Sequence, residues 1–369
     1  MDKAKGDGIR PLLESEIDHL ATGAWVLGTG GGGDPYNNVL NLKKLYRDGC
    51  STDLMDPDAL ADDDLVAVVS FQGAPLVGQE RLPDPIFAAK AVTVMEDFLG
   101  RRFTALMSVE IGGGNGIHPF LCAALLDLPV VDADAMGRAF PDVSKTSFAV
   151  MDLTPYPLTV IDVRGNTVII PEGKDWHWME RISRSVVTEM GSTGSTCKAP
   201  RTGKEVKAHA ILHSVTKALR IGNTVHEARR AHADPIDAIL MQENGVLLFK
   251  GKITDMNRRT TGGFLRGATR IEGLDEFSSE DMRLEFQNEF SVASRDGEVI
   301  ATVPDLICVL DTAAGEAIGT DTLRYGQRVT VIALPSPPVF LTEKGLKHTG
   351  PRAFGFDIDF KSCFNRAHA

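Results

Sequence analysis

The chain has 369 residues, 43% hydrophobic and 24% charged, with a formal net charge of −11. That is enough chain for two domains with substantial cores. The acidic balance, without a compensating Lys/Arg-rich stripe, argues against nucleic acid and anionic membrane surfaces as partners. Five scattered cysteines with no C-x-x-C pair argue for reduced thiols and against a disulfide scaffold or zinc finger. Residues 1–10 are polar and no run approaches eighteen apolar residues, so the expected location is cytoplasmic.

In chain order, Leu12, Leu13, Ile17, Leu20 and Ala21 recur at helical spacing, with Gly23 as the expected stop and Trp25 to Leu27 as a short strand. The run Gly28-Thr29-Gly30-Gly31-Gly32-Gly33-Asp34-Pro35 follows, then a helix from Asn37 to Arg47. Six aspartates between Asp53 and Asp64 read as a solvated segment.

A pattern then repeats. Apolar strands at Leu65–Ser70, Phe103–Val109 and Pro129–Val131 are followed by loops starting at Phe71, Glu110 and Asp132, with helices at Ile86–Leu99 and Phe120–Leu126. Continuously apolar strands alternating with helices predict an α/β fold, a mostly parallel sheet covered on both faces. Right-handed crossovers would gather the loops at the carboxyl edge, where such sheets bind ligands.

Past about residue 150 the pattern changes. A hairpin is expected around Arg164-Gly165-Asn166, then helices at Asp175–Met190, Lys204–Ile221, from a capping box at Thr224 to Glu227, and at Pro235–Glu243. Beyond Val246 the chain reads as nearly all β, including Leu284–Ser294, Glu298–Leu310 and Arg328–Leu334. The predicted organisation is an N-terminal α/β domain over 1–160 and a C-terminal α+β domain over 161–369, β-rich in its later part.

Gly28, Gly30 and Gly33 fit G-x-G-x-x-G literally, but Asp34 sets a negative charge where pyrophosphate would lie, and Pro35 lacks an N–H donor. No nucleotide cofactor is therefore expected. Asp34 either caps the following helix or faces a ligand or metal. Glu110 and Asn115 bracket Gly112 to Gly114, either as helix-start caps or as a donor–acceptor pair for a polar ring. Asp132 and Asp134 either bind a divalent metal, act as an acid–base pair, or form a structural cluster with Arg138. Cys197, in the small, polar loop expected from Ser192 to Cys197 between two helices, is either an ordinary thiol, a lowered-pKa nucleophile or a soft metal ligand. His209 and His213, four apart on an expected helix, form a possible metal-binding pair. His118, Trp176, His177 and Trp178 read as structural.

Four segments resemble the S-methyl thiohydantoin desulfurase family, formerly an uncharacterised group linked to hydantoinases and oxoprolinases. They are Gly28 to Pro35, the Glu110-Ile111-Gly112-Gly113 region, Val131 to Pro141, and a C-terminal set comprising Asn288-Glu289, Pro304 to Ile307, Arg324 to Gln327 and Gly350 to Gly355. The resemblance spans nearly the whole chain; His209 and His213 are not part of it. It implies an N-terminal α/β and a C-terminal α+β domain. It also implies hydrolysis of an S-methylated thiohydantoin to methanethiol and a hydantoin, with hydantoin or lactam amide hydrolysis and non-enzymatic binding of a small heterocycle as alternatives. On that reading Asp34, Asp132 and Asp134 activate water directly or through a divalent metal, with Glu110 beside them in the catalytic set. Gly31, Gly32, Gly33, Gly113, Gly114 and Asn115 hold the ring, and Arg138 meets a substrate carboxylate. If the metal is zinc, Cys197, Asp34 and Asp132 are its ligands. A homo-oligomer acting on a small heterocycle is expected.

Overall fold

The computed structural model describes residues 8–73, 77 and 84–364; Ala74 and Pro75, expected in the loop after the first long strand, lie outside them. The strands are β1 Ile9–Leu12, β2 Thr52–Met55, β3 Leu65–Gly73, β4 Ala105–Ser108, β5 Val130–Val131, β6 Ala133–Asp134, β7 Leu158–Ile161, β8 Thr167–Ile170 and β9 Thr193–Thr202. They continue with β10 Ile211–Leu212, β11 Val246–Thr261, β12 Phe264–Gly273, β13 Asp281–Gln287, β14 Glu289–Arg295, β15 Glu298–Thr302, β16 Leu306–Asp311 and β17 Arg328–Leu334. The helices are α1 Ile17–Leu27, α2 Tyr36–Arg47, α3 Pro85–Leu99, α4 His118–Leu126, α5 Ser147–Val150, α6 Trp176–Glu189, α7 Gly203–His209, α8 Ser214–Arg230, α9 Pro235–Glu243 and α10 Glu343–Thr349.

The first sheet has the order β1-β2-β5-β4-β3-β9-β7-β8. As the alternating apolar strands imply, β2, β5, β4 and β3 run parallel, while β1, β9, β7 and β8 pair antiparallel. Side chains of a strand alternate between faces. Ala67 and Val69 of β3 therefore join the core shared with α1, α3 and α4, and Val66 and Val68 join a second core on the other face. This sheet takes strands from both sides of position 160. The second sheet is antiparallel, β15-β14-β13-β12-β11-β17-β16. Cys308 and Leu310 of β16 face the first core, while Ile307 and Val309 face the interior of their own sheet. The two sheets thus share one packed body.

Five local expectations are corrected. Trp25 to Leu27 finish α1 instead of forming a strand, and Gly23 does not stop the helix. It lets α1 meet α8, because a Cβ there would lie 1.8 Å from the Ala218 carbonyl oxygen. Residues 193–197 open β9 instead of looping, held between β3 and β7. The helix expected over 204–221 is two, α7 and α8. Ile211 and Leu212 pair with Asp134 and Ala133 between them, and His213 takes a left-handed conformation at φ 59°. Thr224 lies inside α8; the reciprocal capping box is Thr202 with Glu205, at the start of α7.

Candidate functional site

The end of β3, the loops after β4 and β6, the glycine run after α1, the middle of β9 and the start of β14 converge on a cavity of about 200 Å³. Glu110 is among its lining residues. Ser108 Oγ ties the turn, its single proton shared between the carbonyls of Glu110 at 2.5 Å and Asn115 at 2.8 Å. Asn115 Oδ1 accepts from Phe71 N at 2.7 Å, so its amide nitrogen is the group left to face Glu110, and it donates to Oε1 at 2.6 Å. Glu110 Oε2 accepts from Phe140 N at 3.0 Å. Burial pushes the Glu110 carboxyl up to about 7, against the opposing pull of those two hydrogen bonds.

Glu289 reaches the same cavity from the second sheet. Asn288 before it has φ 59° and is locked to Leu265 in both directions, Asn288 N to the Leu265 carbonyl at 2.7 Å and Leu265 N to Asn288 Oδ1 at 2.9 Å. Glu289 is 3% exposed, and its Oε2 has no hydrogen-bond partner among the described residues. Burial, then the Glu110 charge, raises its proton affinity; Arg138 opposes this.

Lys198 projects from β9, 5% exposed, with no ion pair within 4 Å among the described residues. Burial pushes it down to about 8, although Glu180 and Glu110 favour its charged form. Beside it Arg184 Nε donates to Glu180 Oε1 at 2.6 Å, and Gln72 Nε2 donates to Ser183 Oγ at 3.0 Å. The site thus combines a carboxyl that titrates near neutrality, a second carboxyl favouring its acid form, and an amine without a fixed counter-ion.

The residues singled out from sequence divide into two groups. Gly32, Gly33, Asp34, Glu110, Gly114 and Asn115 line the cavity. Asp34 is exposed at its mouth and caps α2, with Oδ1 accepting from Tyr36 N at 2.8 Å. Gly31 and Gly113 do not line it. Two loop N–H groups expected to face a ring bond within the loops, Gly31 N to the Gly28 carbonyl and Gly114 N to the Gly33 carbonyl, each at 2.8 Å.

The other group is structural in its contacts. Asp132 Oδ1 accepts from Val215 N at 2.8 Å and Thr216 N at 3.0 Å, capping α8. Asp134 Oδ2 accepts from Ile111 N, Met136 N and Gly137 N at 2.9, 3.0 and 2.7 Å, fixing the loop that carries Glu110; burial pushes it up to about 6. Arg138 is fully buried. It donates to Thr29 Oγ1 at 2.5 Å and to the carbonyls of Ala139, Pro304 and Asp305 at 2.9, 3.2 and 3.1 Å, a clamp between the two halves. Cys197 faces the apolar core opposite Lys198, and burial pushes its thiol up. Cys197, Asp34 and Asp132 do not form a ligand shell: no group of three His, Cys, Asp or Glu suited to a metal occurs among the described residues. His209 ends α7 and His213 precedes α8, so they share no helix face; His213 Nδ1 lies 3.6 Å from Asp132. His118 is buried with neither ring nitrogen partnered among the described residues, its ring 4.1 Å from Phe71.

Sequence reading missed Lys198, Glu180 and Arg184 as site residues, and met Glu289 only within a motif. A lysine inside a run of small residues, Gly194 to Ala199, was the available signal, and it means little until the run is known to be a buried strand.

The fold and cavity define an α/β–α+β protein with a carboxyl-lined cavity to which both of its sheets contribute. The family model described as S-Me-THD-like, N-terminal domain, matches residues 15–172, and that described as S-Me-THD-like, C-terminal domain, matches 174–363. The chain belongs to this family, the S-methyl thiohydantoin desulfurase family that its motifs resemble. It is also similar in fold to a protein from Chromobacterium violaceum known from an X-ray crystal structure, with TM-score 0.79 and 21% identity over 96% of this chain and 100% of that one. No curated protein matches it. Among the described residues no helix is long and apolar enough to cross a membrane.

Proposed function

We propose that this protein is a hydrolase that replaces the methylthio group of an S-methyl thiohydantoin by oxygen, giving methanethiol and a hydantoin. The observation that carries the reading is the pair Glu110 and Glu289, two buried carboxyls from different sheets on one cavity, both with raised proton affinity. Family membership supplies the substrate class.

Ionised Glu110 takes a proton from water as its oxygen bonds to the ring carbon bearing sulfur. Glu289, in its acid form, gives its proton to the ring nitrogen that receives the electron pair. The Lys198 ammonium opposes the negative charge that develops. The C–S bond then breaks. Glu110 returns its proton to the departing thiolate, and Glu289 recovers one from the hydroxyl as the new carbonyl forms. Both carboxyls end as they began, and the two protons of water rest on ring nitrogen and sulfur. These steps use side chains of this chain only.

Methanethiol release from 5-substituted S-methyl thiohydantoins is the test. Turnover that falls at least a hundredfold in Glu110→Gln and Glu289→Gln supports the reading. No thiol from any substrate, or thiol release indifferent to both substitutions, overturns it.

A further inference from the structure

The C-terminal motif Gly350 to Gly355 does not line the cavity, yet it packs against a loop that does. Pro351–Phe354 form one short helical turn. Gly355, at φ 86°, ends it, and its N–H donates to the Arg352 carbonyl at 3.1 Å. Arg352 is exposed and pairs with Asp357 and Asp359. Phe354 is 5% exposed and enters the core on the Val66 and Val68 face of the first sheet.

There Phe354 holds the loop after β6 at two points. Its ring lies 6.3 Å from the Phe140 ring, which also meets Phe340 in a T-shaped contact at 5.4 Å and carries the Arg138 guanidinium 4.7 Å from its centre. The Lys145 ammonium lies 4.8 Å from the centre of the Phe354 ring and 3.3 Å from Asp142, in a side chain only 6% exposed. A buried ammonium needs such partners. The stretch from Phe140 to Lys145 is thus fixed at both ends, and its residues Phe140 to Val143 line the cavity.

Phe140 links this packing to the chemistry. Its N–H donates to Glu110 Oε2 at 3.0 Å, one of two hydrogen bonds that favour the carboxylate form of Glu110 against burial. A donor displaced by about 0.6 Å would lie beyond hydrogen-bond range. The charged groups whose fields reach Glu110 are Asp134 from β6, Lys198 from β9, Glu289 from β14 and Arg138 from the loop after β6. Phe354 brings no charge, so its influence on Glu110 passes through the loop it packs against.

Resting on the reading of Glu110 as the base, we propose that Phe354 is a positioning residue for it: the ring, packed on Phe140 and Lys145, keeps the Phe140 N–H on the Glu110 carboxylate. The motif from Gly350 to Gly355 thereby serves the reacting centre from outside the cavity.

The experiment titrates Glu110 by 13C NMR of protein labelled at the glutamate Cδ carbons, with Glu110→Gln assigning the signal; it needs no substrate. In Phe354→Leu the midpoint should move up by at least about 0.5 pH unit, because the carboxylate loses a donor. The acidic limb of kcat/KM for methanethiol release should move with it. Phe354→Tyr keeps the ring and should stay at the wild-type midpoint. Phe249→Leu, in the core of the second sheet, lowers stability away from this loop and should leave the midpoint in place. If Phe354→Leu does not fold, Phe354→Met, unbranched and able to adapt to the space, is read in the same way. A midpoint unmoved in the variant without the ring, or moved as far in Phe354→Tyr or Phe249→Leu, overturns the proposal. A midpoint that moves while the acidic limb stays supports the placement by Phe354 and removes Glu110 as the base. If no substrate releases thiol, the thiohydantoin reading fails instead, and the titration still decides this one.

Discussion

The carboxyl of Glu289 occupies the space where a side chain at Gly31 would be: a Cβ on Gly31 would lie 2.0 Å from Glu289 Oε1. The glycine run is therefore shaped around an acid from the opposite sheet, and the contact joins the two halves at the cavity. Gly31→Ala should displace Glu289 instead of unfolding the chain. The expected cost is about 1–3 kcal/mol of stability, with methanethiol release down at least thirtyfold. Urea titration and the thiol assay read the two effects separately; an unchanged rate would remove Glu289 from the mechanism.

The pH profile of kcat/KM should be bell-shaped. Glu110 must be ionised to accept a proton, so activity rises through about pH 7. Lys198 must keep its proton, so activity falls above about pH 8. Lys198→Met should remove the alkaline limb and lower the rate at least tenfold at pH 7.5. An unaltered limb in that variant would assign it to another group.

Stability should carry the same two groups with opposite signs. Glu110 holds its proton more tightly in the folded protein, about 7 against an ordinary 4.5, so its contribution is present at low pH and is lost as pH rises through that window. Lys198 holds its proton less tightly when folded, about 8 against 10.5, so the unfolded chain binds more protons between those values and stability rises with pH there. Melting temperatures of wild type and Lys198→Met from pH 8 to 10 should converge, because the variant lacks the rise.

Asp132→Ala should act on stability first. It leaves Val215 N and Thr216 N at the start of α8 without their acceptor, for a loss of about 2 kcal/mol, with kcat/KM in the folded variant within about threefold of wild type. A hundredfold loss of turnover would return this aspartate to the reacting centre.

Cys197→Ala provides a contrast with its neighbour. Cys197 points into the apolar core and Lys198 into the cavity, as adjacent strand residues must. The variant should lose about 1–2 kcal/mol for the small cavity left and keep its rate within about twofold. Loss of turnover without loss of stability would mean that the thiol reaches the site.

The sequence by itself determined what local periodicity and local chemistry can specify. Apolar strands alternating with helices announced the first sheet, and scattered motifs pointed to the family. It misread Trp25 to Leu27 and Gly23, because an apolar segment ending at glycine looks the same whether it is a strand or the buried end of a helix. Only the tertiary structure decided the site. Glu110, Lys198 and Glu289 are brought together by packing one sheet against another, and whether a charged side chain faces water or a closed cavity depends on those distant partners. The same packing turned Asp132, Asp134 and Arg138 inward onto backbone groups, since a buried loop needs acceptors and donors for its own N–H and carbonyl groups before any remain for a substrate.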